Sequence, residues 1–245
     1  VSVEPPESLG LRWERKLPAG IQSRPAFWED RLIVAANEGR VRALAADSGK
    51  ELWEYDSGPD AVLSSPIVQR DRVYFGTIDG HVVCLVADSG KMVWKRTVEG
   101  SVIATGTFAG PDSFVIGTGK GWLYSLDPES AQVKWSYQAG NLIKATPAYD
   151  GKRLYFGAWD GHFYAVDAET GTEAWKVRIN TPHLSPATCN PGVVGDSVIF
   201  TSHDYATHCL DAAGGEHRWR FPALGVSFQW NSDILAKCKP SYSSP

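Results

Sequence analysis

Histidines near an acidic residue, cysteines and a glycine-rich stretch are the residues of this sequence whose types could do chemistry. His203, Asp204 and His208 have side chains that bind transition metals, but no third ligand follows at a regular spacing. The four cysteines include no Cys-x-x-Cys pair, so no structural zinc site is predicted. The glycine-rich residues 117–121 enter a predicted strand rather than a helix, which excludes a phosphate loop. The motifs therefore predict no catalytic, metal or nucleotide site.

The composition is typical of a globular chain made of short strands. The sequence has 245 residues, of which 43% are hydrophobic, and this is enough for a large buried core. Ten tryptophans, 24 glycines, 15 prolines and a single methionine favour strands and turns over helices. The formal charge of -4 argues against binding to nucleic acids or anionic membranes, which requires a basic surface. No apolar run approaches about 18 residues, so no transmembrane helix is predicted.

The sequence repeats itself with a period of about 41 residues. Residues 164–175 align with residues 42–53 over twelve positions without a gap. Each aligned segment ends in a tryptophan, and successive tryptophans are 40 to 44 residues apart. These tryptophans are Trp13, Trp53, Trp94, Trp135, Trp175 and Trp219. Residues 11–13 supply only the last strand of a unit, so five whole units and a partial sixth are expected.

Each unit contains the pattern of four antiparallel strands. The first strand is expected beside a proline, at Arg24-Pro25, Ser65-Pro66, Thr146-Pro147 and Ser185-Pro186. A tight Asp-Gly hairpin, as at residues 79–80 and 160–161, joins the second and third strands, because glycine adopts positive φ without strain. Four short strands recurring at this period predict an all-β fold, a β-propeller of four-stranded antiparallel blades.

We expect residues 1–245 to form a single propeller domain. Five complete repeats and a partial sixth indicate that the chain is a portion of a larger propeller of about six to eight blades. Residues 223–240 match no other blade connection and are interpreted as an insertion, while residues 241–245 resemble the opening of a further blade. On this interpretation the natural protein continues beyond Pro245.

Residues 164–175, Tyr-Ala-Val-Asp-Ala-Glu-Thr-Gly-Thr-Glu-Ala-Trp, resemble the tryptophan-docking motif of the PQQ-like propeller repeat family. The resemblance recurs five times between Leu11 and Trp219. It implies that each tryptophan packs between two blades and that the Asp-x-x-Thr-Gly run forms the turn before it. In two copies Ala45 and Val86 stand where the motif has aspartate, and these turns are expected to lack a hydrogen bond.

Two cysteines occupy a repeat position that takes small side chains. Cys84 and Cys209 align with alanine or serine in the other units, so both are expected to be buried packing residues without a disulfide between them. Cys189 and Cys238 lie outside this position, and whether they pair stays open.

One turn position varies too much to be dictated by the fold. The position lies two residues before the end of the turn that joins the second and third strands. In the five units it is held by Asn37, Ile78, Gly119, Trp159 and His203. Propeller topology places this turn on the face that carries the connections between blades, where ligands usually bind. We therefore predict a ligand or partner surface on this face, formed by Trp159, Asp160, His183, His203, Asp204, Phe228 and Trp230. In the alternative interpretation, Trp159 and Trp230 only pack against the insertion at residues 223–240.

The family resemblance implies a non-catalytic binding or scaffolding protein whose partner is another protein, a ligand or an appended domain. Similar propellers assemble outer-membrane proteins, sense ligands or regulate an attached enzyme domain. Because relatives are often exported, the resemblance favours a location outside the cytoplasm. A PQQ-dependent dehydrogenase is the less favoured alternative, since such enzymes carry a Cys-Cys pair and a calcium site, and this sequence has no adjacent cysteines. PQQ is therefore not an expected cofactor.

A hydrolase on a propeller would need about two or three carboxylates that converge at the central channel. The first strands, which line that channel, are predicted to offer Arg24, Ser65, Thr107, Thr146 and Ser185. None of these side chains is acidic, so the sequence disfavours a hydrolase.

Overall fold

The computed structural model describes residues 10–179 and 190–221. Within these residues twenty strands form five four-stranded sheets, and each sheet is built from four antiparallel strands that are consecutive in the chain. The five sheets are the blades of a β-propeller and form an open arc rather than a closed ring, which confirms the predicted fold. No helix long and apolar enough to cross a membrane occurs in these two ranges.

The blades follow one another along the chain. The first contains β1 (Ala26–Trp28), β2 (Arg31–Ala35), β3 (Arg40–Ala45) and β4 (Glu51–Asp56). The second contains β5 (Ile67–Gln69), β6 (Arg72–Gly76), β7 (His81–Val86) and β8 (Met92–Thr97). The third contains β9 (Thr107–Phe108), β10 (Phe114–Gly117), β11 (Trp122–Leu126) and β12 (Val133–Gln138). The fourth contains β13 (Ala148–Tyr149), β14 (Arg153–Gly157), β15 (His162–Asp167) and β16 (Glu173–Arg178). The fifth contains β17 (Gly192–Val194), β18 (Ser197–Thr201), β19 (Thr207–Asp211) and β20 (His217–Phe221).

The middle strands of each blade carry nearly continuous apolar runs because neighbouring blades cover both of their faces. Strand β10 is buried over its whole length, whereas β12 at the edge of the same blade is mostly exposed. The blades interlock through these middle strands. Phe163 of the fourth blade stacks on Phe200 of the fifth, with ring centroids 3.9 Å apart and planes inclined by 8°. The hydrophobic core therefore lies between the blades rather than within a single one.

Five tryptophans join neighbouring units, as the resemblance implied. In each case the indole N–H donates to a backbone carbonyl in the turn between the third and fourth strands of the next blade. These bonds join Trp13 to Ala46, Trp53 to Ala87, Trp94 to Pro128, Trp135 to Ala168 and Trp175 to Ala212, at 2.9 to 3.1 Å. Trp219 is 46% exposed, and the described residues offer it no such turn. The expectation that six tryptophans dock is thus confirmed for five of them.

A residue at positive φ lies beneath each docked indole. In four turns it is a glycine; Gly171, for example, has a φ of +72°, and a Cβ added there would lie 2.6 Å from the Trp135 ring. In the third blade this position holds Ala131, at a φ of +59°. An alanine in this conformation is strained by about 1–2 kcal/mol, so this turn is held by the contacts around it.

Aspartates brace three of the same turns. Asp127, Asp167 and Asp211 each accept two backbone N–H bonds from the residues two and three positions later, at 2.7 to 3.0 Å. These bonds lower the pKa of all three carboxyl groups, because they stabilise the charged form. Ala45 and Val86 have no carboxylate to make them, as the departures from the motif implied.

The first strand of the fifth blade lies later in the chain than the sequence predicted. Strand β17 begins directly after Pro191, whereas the prediction placed it beside Ser185-Pro186, which lie outside the described residues. A proline also immediately precedes β1, β5 and β13, so Pro191 holds the repeat position. Residues 11–13, expected to form an outer strand, form none, although Trp13 docks as predicted.

A polar side chain just before the first strand latches neighbouring blades on the channel side at three of the four described blade boundaries. The backbone N–H of Arg24 donates to Oγ of Ser65 in the next blade at 2.9 Å, and that of Ser65 donates to Oγ1 of Thr105 at 3.0 Å. The backbone N–H of Thr146 likewise donates to Oδ1 of Asn190 at 3.0 Å. The latch is a contact that the sequence did not predict.

This register corrects two of the predicted channel residues. Thr105 takes the place of Thr107, which begins β9, because only Thr105 aligns with Ser65 in the latch. Asn190 takes the place of Ser185, which lies outside the described residues. The physical reason is that the latch bond, together with the proline that precedes most first strands, sets the register of these strands. The nearest residue with a hydroxyl group does not.

Cys84 and Cys209 are buried free thiols, as predicted. Burial raises the pKa of Cys84 to about 12, so its thiol stays protonated and unreactive at neutral pH. Cys189 and Cys238 lie outside the described residues, and their pairing stays open.

Replacing Gly171 with alanine is expected to lower the free energy of unfolding by roughly 2–4 kcal/mol, because the new Cβ is strained at positive φ and presses into the Trp135 ring. Ala131→Gly, the reverse change in the equivalent turn, should leave stability unchanged or raise it by up to about 1 kcal/mol. Unfolding in guanidinium chloride, followed by circular dichroism, measures both.

Gly110→Ala is the matched control, because Gly110 has a φ of +78° but open space where its Cβ would lie. It should cost only the backbone strain of about 1–2 kcal/mol. If Gly110→Ala and Gly171→Ala cost the same, the indole contact contributes nothing and the docking explanation is wrong.

Candidate functional site

The turns between the second and third strands lie beside the connections between blades, on the face where the sequence placed them. In four blades the variable turn residue donates its backbone N–H to a carbonyl of the connection that precedes its blade. These bonds run from Asn37 to Gly20, Ile78 to Ala61, Gly119 to Ser101 and Trp159 to Leu142, at 2.8 to 3.3 Å. The fold therefore fixes the backbone at this position and leaves the side chain free to vary.

Trp159 and His203 hold this variable position in the fourth and fifth blades, and their rings meet across the blade boundary. The ring centroids are 5.6 Å apart and the planes are inclined by 69°, an edge-to-face contact. Trp159 is half-buried, His203 is exposed, and the neighbouring Tyr205 is 67% exposed. The structure thus brings two predicted site residues together, and Tyr205 adds an exposed aromatic side chain to the same turn as His203.

Sequence reasoning missed Tyr205, although a signal was present. The other four blades end this turn with a glycine at positive φ, and Tyr205 adopts the same conformation, with a φ of +62°. A bulky residue in the left-handed region is uncommon and costs conformational energy. The missing glycine therefore marks the fifth turn as a place where the side chain is kept in spite of a backbone cost.

Asp160 is committed to the structure of its own turn. Its carboxylate accepts backbone N–H bonds from His162 at 3.0 Å and from Gly140 in the blade connection at 3.2 Å. It also accepts a hydrogen bond from the hydroxyl of Tyr164. Burial, reinforced by this bond to a carboxylate, raises the pKa of Tyr164, so the phenol stays a donor at neutral pH.

Asp204 has a corresponding role in the fifth blade. Its two carboxylate oxygens lie 3.1 Å from Nε2 of His208, and Arg220 donates to it from Nη2 at 3.0 Å. Partial burial raises the pKa of this carboxyl, but the hydrogen bonds from His208 and Arg220 outweigh it, so the pKa is lowered. The carboxylate is therefore an anion held by a buried imidazole and a guanidinium.

The first blade has the same pairing, because Glu38 accepts a hydrogen bond from Nη1 of Arg42 at 2.7 Å. In all three blades the acidic turn residue meets the residue four positions later, on the third strand. Asp160 and Asp204, predicted as binding residues, are thus placed at the predicted face with their carboxylates already engaged.

His203, Asp204 and His208 do not assemble into a metal site. The His203 ring contacts Trp159, while His208 points to Asp204. Across residues 10–179 and 190–221, no group of three or more His, Cys, Asp or Glu side chains could hold a metal ion. The other predicted surface residues, His183, Phe228 and Trp230, lie outside the described residues.

At its described latch positions, the channel side lacks the carboxylate oxygens that would hold the calcium of PQQ-dependent enzymes. Calcium prefers several carboxylate and carbonyl oxygens. The described latch positions are Arg24, Ser65, Thr105, Thr146 and Asn190, without a carboxylate among them. The side-chain oxygens of Ser65, Thr105 and Asn190 already accept the bonds that hold neighbouring blades together. We therefore derive no chemistry through PQQ.

Two clefts open between blades. The first, of about 350 Å³, lies between the third and fourth blades and is lined by charged side chains, including those of Lys134, Asp167 and Glu169. The second, of about 360 Å³, adjoins the fourth and fifth blades. Its lining consists of Ile179, Asp204, His208, His217, Arg218, Trp219 and Arg220.

A family model described as outer membrane protein assembly factor BamB matches this chain over residues 6–106 and 79–224. Together these two matches span most of the 245 residues and all five described blades.

Solved structures with the same fold include BamB and a quinohemoprotein alcohol dehydrogenase. BamB from Moraxella catarrhalis superposes with a TM-score of 0.73 at 20% identity, covering 85% of this chain and 66% of that one. Quinohemoprotein alcohol dehydrogenase from Comamonas testosteroni has a TM-score of 0.73 at 17% identity, covering 82% and 43%. At these identities the likeness shows the shared fold alone.

Among curated proteins, quinohemoprotein alcohol dehydrogenase ADH-IIG of Pseudomonas putida is 35% identical to this chain over 78 residues. That alignment covers 28% of this chain and 11% of the dehydrogenase. The chain therefore spans about a tenth of this relative's length, and 66% of the Moraxella BamB chain.

Asp204→Asn is expected to lower the free energy of unfolding by about 1–2 kcal/mol at pH 7, because His208 and Arg220 lose their anionic acceptor. The native state lowers the pKa of this carboxyl below its ordinary value of 3.8, so its contribution is present above that ordinary pKa and is lost as the pH falls through the folded-state pKa. The difference between variant and wild type should therefore shrink towards zero at pH values below the folded-state pKa.

Urea unfolding at a series of pH values measures this difference. Asp30→Asn is the control, because the Asp30 side chain is 81% exposed and its removal should change stability by less than about 0.5 kcal/mol. A difference for Asp204→Asn that stays the same across the acid range would show that the carboxylate charge is not what matters.

Proposed function

We propose that this chain is a non-catalytic propeller that binds and scaffolds another protein. The premise is that the chain belongs to the PQQ-like repeat family described as outer membrane protein assembly factor BamB. The observation that carries the proposal is the contact between Trp159 and His203 on the face of the blade connections. The fold dictates the backbone there but not the side chains, so two aromatic rings at equivalent positions of adjacent blades point to a role in binding.

Trp159, His203 and Tyr205 form the centre of the proposed surface, which we name the aromatic patch. Aromatic side chains supply large contact areas at low entropic cost, and they are enriched at the cores of protein interfaces. Asp160 and Asp204 hold the two turns that present the patch, so they act on binding through its geometry. His183, Phe228 and Trp230 remain predicted members of the same surface.

The partner we propose is a protein or an appended domain of a longer chain. The family description names an assembly factor of outer membrane proteins, which supports a protein partner and a location outside the cytoplasm. A sensor or regulatory propeller attached to an enzyme domain is the second candidate, and it would use the same face. Neither role requires a nucleic acid, and the net charge of -4 disfavours one.

We propose further that the chain is not a quinone-dependent enzyme. The likeness to quinohemoprotein dehydrogenases is accounted for by the shared blade repeat, since the matched segment covers 11% of the dehydrogenase sequence. Channel-side residues that already serve as latches, and the lack of adjacent cysteines in the sequence, support this proposal.

Titration with PQQ and calcium is expected to leave the tryptophan fluorescence without a saturating, stoichiometric decrease. Ten tryptophans make the protein a sensitive reporter of a bound quinone. The emission must be corrected for absorption by the quinone, with free tryptophan as the reference. Saturation at one equivalent, abolished by removing calcium, would overturn the proposal that the chain is not a quinone enzyme.

The double variant Trp159→Ala/His203→Ala is expected to lose at least about tenfold in affinity for the partner, because the centre of an interface carries most of its binding energy. Affinity capture of wild type and variant, followed by quantitative mass spectrometry, identifies proteins lost only with the variant. Their affinities are then measured with purified components.

Trp28→Ala is the matched control, since Trp28 is also a half-buried tryptophan but ends β1, on the opposite face. It should retain the partner. If the double variant captures the same proteins as the wild type, at the same affinity, the aromatic patch is not the binding surface.

A further inference from the structure

The residue two positions after the docking tryptophan closes the gap between neighbouring blades. In the third blade it is Tyr137, whose ring meets Phe156 of the fourth blade edge to face, with centroids 6.2 Å apart and planes inclined by 71°. The same ring contacts Tyr164, at 5.8 Å. Its hydroxyl donates a hydrogen bond to Glu173, the first residue of β16. A phenol thus fills this slot and is held at both ends.

Tyr55 fills the corresponding slot between the first and second blades in the same way. Its ring meets Phe75 edge to face at 6.2 Å. Its hydroxyl lies 3.5 Å from Sδ of Met92, the first residue of β8. The first and third blades therefore share a phenol at this position, whereas the second blade has Arg96 there.

Val177 holds this position in the fourth blade, so the slot between the fourth and fifth blades lacks a phenol ring. The three residues that would surround such a ring are Phe200, His208 and His217, by alignment with the fourth blade. His208 and His217 both line the cleft of about 360 Å³. The cleft thus lies beside the residues that correspond to those around the Tyr137 ring one blade earlier.

The walls of this cleft contain polar atoms that can bind a ligand. His208 is 3% exposed and stacks on Phe200 at 5.3 Å, with Nε2 bonded to Asp204. Its Nδ1 is buried and has no hydrogen-bond partner, which is rare and costly in folded proteins. The ring of His217 lies 5.5 Å from that of His208. Partial burial, together with the nearby His208 and Arg220, lowers the pKa of His217, so a neutral imidazole is available at pH 7.

We propose that the cleft between the fourth and fifth blades is a binding site for a small phenol. The aromatic ring lies against His208, which itself stacks on Phe200, as Tyr137 lies against Tyr164 one blade earlier. The hydroxyl donates to a neutral imidazole, for which His217 takes the place of Glu173. The side chains of Ile179 and Trp219 form the apolar part of the cleft wall.

A phenol fits this cleft better than a simple anion or an apolar ring. The guanidinium of Arg220 is bonded to Asp204, so the cation nearest to the cleft is already neutralised by a carboxylate. A purely apolar ring would offer no hydrogen bond to the imidazole of His217. The site is separate from the aromatic patch, and the proposal goes beyond the scaffolding function.

The probe for this proposal is p-cresol, which has the ring and hydroxyl of a tyrosine side chain. We expect saturable binding, with a dissociation constant on the order of 1 mM for a ligand of this size. The measurement follows the ring C–H signals of His217 and His208 in two-dimensional NMR of the labelled protein. Toluene, which lacks the hydroxyl, should bind at least about fivefold more weakly.

Val177→Tyr fills the slot from within and should weaken p-cresol binding at least about tenfold, while Val177→Ile, the control, should leave it unchanged within about twofold.

His217→Leu separately tests the hydrogen bond from the p-cresol hydroxyl to the imidazole. It should remove the preference for p-cresol over toluene and leave the unfolding temperature within a few degrees of the wild type, because β20 is an exposed outer strand.

Two results would overturn the proposal. One is that p-cresol causes no saturating shift of the His217 or His208 signals up to about ten times the expected dissociation constant. The other is that Val177→Tyr, or His217→Leu if the first variant does not fold, binds p-cresol as tightly as the wild type. The Trp159→Ala/His203→Ala variant should still bind p-cresol, which separates this site from the aromatic patch.

Discussion

The rest of the structure depends on one interaction, the hydrogen bond from a docked indole to a turn carbonyl of the next blade. The bond itself contributes only about 1 kcal/mol, but it fixes an indole that buries a large apolar area between two sheets. Because the acceptor lies in the next unit, each blade is held by the blade before it. The stability of the propeller is therefore close to a sum of blade-to-blade contacts, as in other repeat proteins. In four of the five turns a glycine at positive φ lies beneath the ring and leaves room for the indole to approach the turn backbone, and in the third blade Ala131 takes this conformation.

The fold could be predicted because this interaction leaves a periodic mark in the sequence. Tryptophan, the Asp-Gly hairpin and the small turn residues recur at the spacing of one blade, and the structure confirms four strands in each unit. The register of the fifth blade could not be predicted in the same way. Its connection is longer and contains both Pro186 and Pro191, and the prediction placed the strand beside the first of them. In the structure β17 follows Pro191, because Asn190 then accepts the latch bond from the backbone N–H of Thr146.

The candidate site was only partly predictable, for a different reason. Blade topology was enough to predict that Trp159 and His203 lie on one face. Because they hold equivalent positions in adjacent blades, their contact could be expected as well. What the sequence could not reveal is that the carboxylates of Asp160 and Asp204 are already occupied. Their partners, Tyr164 and His208, stand four residues later across a hairpin, and whether they meet depends on the φ values of the turn between them. An acidic residue that looks available for a ligand can therefore be the residue that shapes its own loop.

A repeat also defines what is missing, and both clefts lie at such places. Arg31 and Arg153 reach from the start of the second strand to the turn of the next blade, bonding Asp88 in one case and the carbonyls of Ala212 and Ala213 in the other. In the third blade this position is Ser113, and a cleft of about 350 Å³ remains beside it. Val177, one blade later, is smaller than the Tyr55 and Tyr137 that hold its position in the first and third blades, and the second cleft lies beside the histidines such a ring would meet. Because some of the other copies show a side chain that completes the contact, the chemistry suited to each cleft can be inferred from those filled equivalents. In a repeat fold, departures from the shared pattern are therefore the first places to look for binding sites that the common architecture does not require.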